Sequence, residues 1–161
     1  QGTETNKIFT SEMRDALVKI VAHHGGAKNL LALAQHEKPL CALGFSRKEL
    51  IKVVAHDGGS NNLQALINYM EHLKEDKTEI TKILNSKMRD ALVKIVGHDG
   101  GSKNLAALTQ HEGPLRALGF SRQELIKAVG HNGGSNNLQA LVNYADYLKQ
   151  SVTEISKFLT S

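Results

Sequence analysis

Four short loops hold the residues best suited to recognition chemistry. Each consists of a histidine, one variable polar residue and two glycines: His23-His24-Gly25-Gly26, His56-Asp57-Gly58-Gly59, His98-Asp99-Gly100-Gly101 and His131-Asn132-Gly133-Gly134. The histidine is the same in all four, which suits a structural role. The next position changes among His, Asp, Asp and Asn, side chains of different donor and acceptor character, as hydrogen-bonded recognition requires. Catalysis is not expected. No nucleophile is paired with a base, no phosphate-binding glycine loop follows a strand, and no carboxylate dyad is present. Nor is a metal or cofactor. His36-Glu37 and His111-Glu112 recur, but neither histidine has a second ligand one turn away, and the loop histidines belong to separate repeats.

The spacing of the loops defines the architecture. His23 to His56 is a step of 33, as is His98 to His131, whereas His56 to His98 is a step of 42. A larger period of 75 overlies this one. Residues 12–77 and 87–152 agree at 47 of 66 positions. Four repeats follow, 12–44, 45–77, 87–119 and 120–152, forming two copies of a 75-residue double unit. The nine additional residues, Thr78 to Ser86, have counterparts at Thr3–Ser11 and Thr153–Ser161, so spacers at 3–11, 78–86 and 153–161 bound the double units.

The elements that must position the loops are helices. Ser46-Arg-Lys-Glu49 is a capping-box pattern, with Phe45 and Leu50 placed as a hydrophobic staple, and Ser121-Arg-Gln-Glu124 repeats it with Phe120 and Leu125. Phe45, Leu50, Val53 and Val54 give the first helix its apolar face. Gly58-Gly59 is expected to stop it, because glycine enters the left-handed region without steric cost. Leu63, Leu66, Ile67, Met70 and Leu73 recur at helical spacing in a second helix. In the odd repeats Pro39 and Pro114 are expected to interrupt or kink that helix, and Gly44 and Gly119 to end it. Tyr69 and Tyr144 match in position and read as packing residues. The spacer 78–86 reads either as an extension of the next helix or as a short extra helix broken near Asn85-Ser86. No stretch shows strand periodicity. The expected fold is all-α: helix–loop–helix repeats stacked in a single solenoid domain over 1–161.

The bulk properties agree. The 161 residues are 40% hydrophobic and 22% charged, with a net charge of +4. That charge is compatible with a polyanionic partner. No apolar run approaches a bilayer span, no secretory leader pattern is visible, and no membrane partner is expected. The single cysteine, Cys41, can form neither an internal disulfide nor a cysteine zinc site, and fits a reducing compartment.

The period of 33, the helix pattern and the run Leu50-Ile-Lys-Val-Val-Ala-His-Asp-Gly-Gly59 followed by Leu63-Gln-Ala-Leu66 together resemble the repeats of transcription-activator-like (TAL) effectors and their relatives. The resemblance covers all four repeats and not the spacers. It implies a right-handed superhelical solenoid that binds double-stranded DNA, each repeat placing its loop in the major groove against one base. It also implies a bacterial cytoplasm, or the nucleus or cytosol of a host cell. His23, His56, His98 and His131 would brace the loops, each bonded to its own helix. His24, Asp57, Asp99 and Asn132 would face the bases. A carboxylate can accept from the cytosine N4 amino group, giving Asp57 and Asp99 a cytosine preference, and an asparagine amide suits a purine opposite Asn132.

Phosphate contact would come from the glycine amides (Gly25, Gly26, Gly58, Gly59, Gly100, Gly101, Gly133, Gly134) and from Lys28, Asn61, Lys103 and Asn136 at the start of the second helix. Four readers at about 1–3 kcal/mol each imply limited selectivity. The nine-residue spacer should interrupt the one-repeat-per-base-pair register unless it loops out. The other reading of the same solenoid is a protein-interaction scaffold, in which the spacer helices contact another protein or a second copy of the chain.

Overall fold

The computed structural model describes residues 7–76, 80–130 and 133–160. Those residues form nine helices and no strand: α1 (Ser11–Val21), α2 (Gly26–Ala42), α3 (Arg47–Val54), α4 (Gly59–Glu75), α5 (Ile80–Ile83), α6 (Ser86–Val96), α7 (Gly101–Ala117), α8 (Arg122–Val129) and α9 (Gly134–Thr160). Each repeat contributes a short first helix and a longer second one. The second helices pack in series, α2 on α4, α4 on α7 and α7 on α9, and the first helices pack against them.

Every first helix starts on a polar cap. Ser46 and Ser121 close full capping boxes with Glu49 and Glu124. The bond to the Ser121 backbone holds the Glu124 carboxyl below its ordinary range. Thr10 and Asn85 accept from the amides of Met13 and Met88. Thr10 and Asn85 belong to spacers, so the spacer supplies the cap for each odd repeat. The central spacer is the short helix α5, separated from α6 at Leu84-Asn85. The last one is different: residues 153–160 simply continue α9. Residues 3–6, 78, 79 and 161 of the spacers lie outside the described residues.

Two expectations are corrected. Pro39 and Pro114 do not interrupt the second helices, which run unbroken to Ala42 and Ala117. They end there as expected, with Gly44 and Gly119 both at φ 103°. The glycine pairs do not stop the first helices either. α3 has already ended at Val54, and the left-handed residue, Gly58 at φ 75°, is the N-cap of α4.

The core is a continuous run of apolar side chains. Phe45, Leu50, Val53, Val54, Leu63, Leu66, Met70 and Leu73 are buried together with Leu92, Val96, Leu105, Leu108 and Leu115 from the second double unit. Each fully buried leucine contributes roughly 2 kcal/mol by removal from water.

A polar cluster joins the two double units inside this core. Glu112 is fully buried. It accepts the Tyr69 hydroxyl at 3.0 Å, lies 2.7 Å from His72 Nε2 and pairs with Arg122. Asp76 Oδ2 receives Arg122 Nη2 at 3.3 Å and Arg116 Nη1 at 3.2 Å. Burial lowers the affinity of Arg122 for its proton, but the bond to Glu112 and its charge more than reverse that, leaving the pKa above the ordinary arginine value. Burial, reinforced by the Glu112 charge, pushes the Tyr69 phenol well above its ordinary value. Tyr69 therefore packs as expected and also bonds, whereas its repeat partner Tyr144 lies exposed at the end of the molecule.

Candidate nucleic-acid interface

The loops owe their shape to two glycines with different duties. Gly25, Gly58, Gly100 and Gly133 have φ between 71° and 76°, the left-handed region that favours glycine. Gly26, Gly59, Gly101 and Gly134 are required by crowding instead. A Cβ on Gly59 would stand 2.0 Å from the Val54 carbonyl oxygen, and one on Gly101 2.5 Å from that of Val96. The second glycine thus lets the start of each second helix rest on the end of the first.

Consecutive loops are stitched together. Asp57 Oδ1 accepts the His24 backbone N–H at 3.0 Å and lies 3.4 Å from His23 Nδ1. Asp99 Oδ1 accepts the Asp57 N–H at 3.2 Å and lies 3.5 Å from His56 Nδ1. The geometry is the same across a direct repeat boundary and across the spacer. An asparagine row runs beneath, buried at Asn29 and Asn62. Asn29 donates to the His56 carbonyl at 2.9 Å and accepts the Ser60 N–H at 2.8 Å. Asn62 repeats this with the His98 carbonyl and the Ser102 N–H, both at 3.0 Å. Asn104 accepts the Ser135 N–H at 3.0 Å. The loops on either side of the spacer are therefore linked in the same way as those across the direct repeat boundary.

This geometry changes the expected division of labour. The imidazoles of His23 and His56 face the next loop's aspartate, and that of His98 faces the Asp99 carbonyl at 3.2 Å. The first two lie against the next loop rather than against their own helix, and the bonds that join the loops are those the aspartates accept from backbone N–H groups. Asp57 and Asp99 each use one oxygen in the row, yet their side chains stay 57% and 69% exposed, so the carboxylates remain accessible. His24 is exposed too. The N–H groups of Gly26, Gly59 and Gly101 are donated to the carbonyls of His23, His56 and His98, and those of Asn61 and Lys103 turn toward Gly58 and Gly100. These amides are already occupied. The side chains of Lys28, Asn61, Lys103 and Asn136 are exposed at the helix starts. His131 and Asn132 lie outside the described residues.

A basic row was missed in the sequence. Lys19, Lys52, Lys94 and Lys127 each stand one helical turn before a loop histidine, and all are exposed. Lys19, Lys52 and Lys94 line one cleft of about 640 Å³ beside His23 and His56. Glu49 and Asp90 line it as well, so the cleft is of mixed charge. The signal was present, because these lysines recur at the same intervals as the loop histidines.

Among the described residues no group of histidine, cysteine or acidic side chains is arranged to hold a metal ion, and no helix is long and apolar enough to cross a membrane. In comparisons with known proteins, no family model and no curated protein matches the chain.

Proposed function

We propose that the chain is a non-enzymatic DNA-binding module, a right-handed solenoid of TAL-effector-like repeats that reads bases through its loops with limited selectivity. The observation that carries this reading is the loop row, linked in the same way across a direct repeat boundary and across the spacer. A reader that tracks base pairs needs evenly placed loops, and the spacer was the feature that threatened them. His24, Asp57, Asp99 and Asn132 then face the bases, with cytosine favoured opposite the two aspartates. Because the amides of Gly26, Gly59 and Gly101 are engaged within the loops, phosphate contact rests chiefly on side chains. Lys19, Lys52, Lys94 and Lys127 take one edge of the row, and Lys28 and Lys103 the start of the second helices.

Fluorescence anisotropy of labelled duplex DNA across a salt series tests this. The wild-type chain should bind at low salt and weaken steeply as salt rises, because phosphate contact releases counterions. Lys52→Ala/Lys94→Ala should lower the slope of log K against log salt by about 2, near 0.9 per lost contact. Asp57→Asn should then shift the preferred base away from cytosine at one position only. Absence of binding at low salt would defeat the DNA reading.

A further inference from the structure

The two ends of the molecule are the two halves of an interface that the chain already contains. Residues of repeat 3 cover the outer face of repeat 2, and the 75-residue duplication copies both surfaces. The copy of the repeat 2 face lies on repeat 4, and the copy of the repeat 3 face on repeat 1. Neither copy is covered. Tyr69 is 0% exposed but Tyr144 is 61%, and Leu73 is 0% exposed but Leu148 is 46%. At the other end Val93 is 8% exposed but Val18 is 64%, and Leu84 is 2% exposed but Phe9 is 45%.

The polar chemistry is duplicated with the apolar surface. Glu112 and Arg122 correspond to Glu37 and Arg47, and that pair is already formed between repeats 1 and 2. Tyr144 stands where Tyr69 donates to Glu112, and Tyr147, stacked on Tyr144 with ring centroids 5.7 Å apart, stands where His72 does. Asn137 takes the place of Asn62, whose Oδ1 accepts an amide of the following repeat. Even the differences match. Asp76 and Arg116, an ion pair at 3.2 Å across the internal boundary, correspond to Ser151 and Cys41. Both charges are absent together, so closing the copied interface would bury neither one unpaired. A groove of about 700 Å³ between Phe120, Leu141, Tyr144 and Leu148 remains open on repeat 4.

We propose that copies of this chain associate head to tail, the outer face of repeat 4 in one copy seating on repeat 1 of the next and reproducing the internal contact between repeats 2 and 3. Glu37 accepts the hydroxyl of Tyr144 from the neighbouring copy. Val18 packs against its α8, as Val93 packs beside α3 in the cleft lined by Lys52 and Ala55. Such a contact joins two different surfaces, so it grows into an open row or closes as a ring. It is independent of DNA binding.

Sedimentation velocity of the full chain without DNA, from low micromolar to near-millimolar concentration, provides the test. The wild-type chain should form a concentration-dependent series of species. Val18→Asp removes the head and Tyr144→Asp the tail. Both positions are exposed, so both variants should keep the wild-type far-UV spectrum and sediment as monomers. An equimolar mixture of the two should form a dimer and nothing larger, because one intact head and one intact tail remain. Tyr144→Phe should weaken association about tenfold, the effect of losing one hydrogen bond to a charged group. A wild-type chain that stays monomeric throughout overturns the proposal. So does a single variant that still self-associates, or a mixture that fails to dimerise.

Discussion

Replacing Glu112 with glutamine tests what holds the two double units together. The carboxylate is fully buried and serves Tyr69, His72 and Arg122 at once. An amide of the same shape keeps one acceptor oxygen but turns an N–H₂ group toward the remaining donors. It also leaves Arg122, itself 7% exposed, with Asp76 as its remaining countercharge. Breaking a buried ion pair costs about 3–5 kcal/mol. Asp76 compensates in part, so the lower end, about 3 kcal/mol, is expected. For a chain of this size that lowers Tm by roughly 6–12 °C. The duplication supplies the control, because Glu37 and Arg47 form the same pair with the Arg47 side chain 54% exposed. Glu37→Gln should cost less than about 1 kcal/mol, as surface pairs do. Urea denaturation of dilute protein, followed by circular dichroism, measures both. Equal losses from the two substitutions, or a loss below about 1 kcal/mol for Glu112→Gln, would refute the assignment of stability to burial of this cluster.

Two further outcomes follow from the loops and from the phenol. Gly100→Ala meets no neighbouring atom and should cost about 1 kcal/mol for its left-handed backbone, whereas Gly101→Ala collides with the Val96 carbonyl and should cost about 3 kcal/mol. Thermal denaturation of the pair checks this, and the reverse order would mean that conformation rather than crowding selects the second glycine. The pKa of Tyr69 is raised in the folded chain, so its contribution to stability is fully present below the unfolded tyrosine pKa of about 10 and is lost as pH rises past it. Stability should therefore decline more steeply in alkali for the wild-type chain than for Tyr69→Phe, and parallel curves would contradict the shift.

The helices were legible because their signals are local. Ser46 and Glu49 lie within one helical turn and close the box that the pattern implies, and the apolar spacing of Leu63 to Leu73 marks the buried face of α4 directly. The loop glycines were visible, but their separate duties were not. The crowding at Gly59 comes from Val54, and only a built helix junction shows it. Contacts between repeats were the least legible. Asp57 reaches the amide of His24, a full repeat earlier, and Glu112 gathers Tyr69 and His72 from the preceding double unit. Nothing in the sequence near Glu112 distinguishes it from Glu37, since both follow a histidine in the same frame. Their difference lies entirely in whether another repeat covers them. The lysine row was overlooked for a simpler reason: lysine on an exposed helix turn is ordinary until its period is compared with that of the loops.

The stitching across the central spacer has a practical corollary. The same asparagine and aspartate bonds join neighbouring loops with and without nine additional residues between them. The link between α4 and α5, ahead of the buried Leu84 and the Asn85 cap, is thus a place where the polypeptide can vary in length while the pitch of the row stays constant. Sequence inserted there, even a small folded domain with closely spaced ends, would hang from the array as a pendant and leave the alignment of its loops as it was.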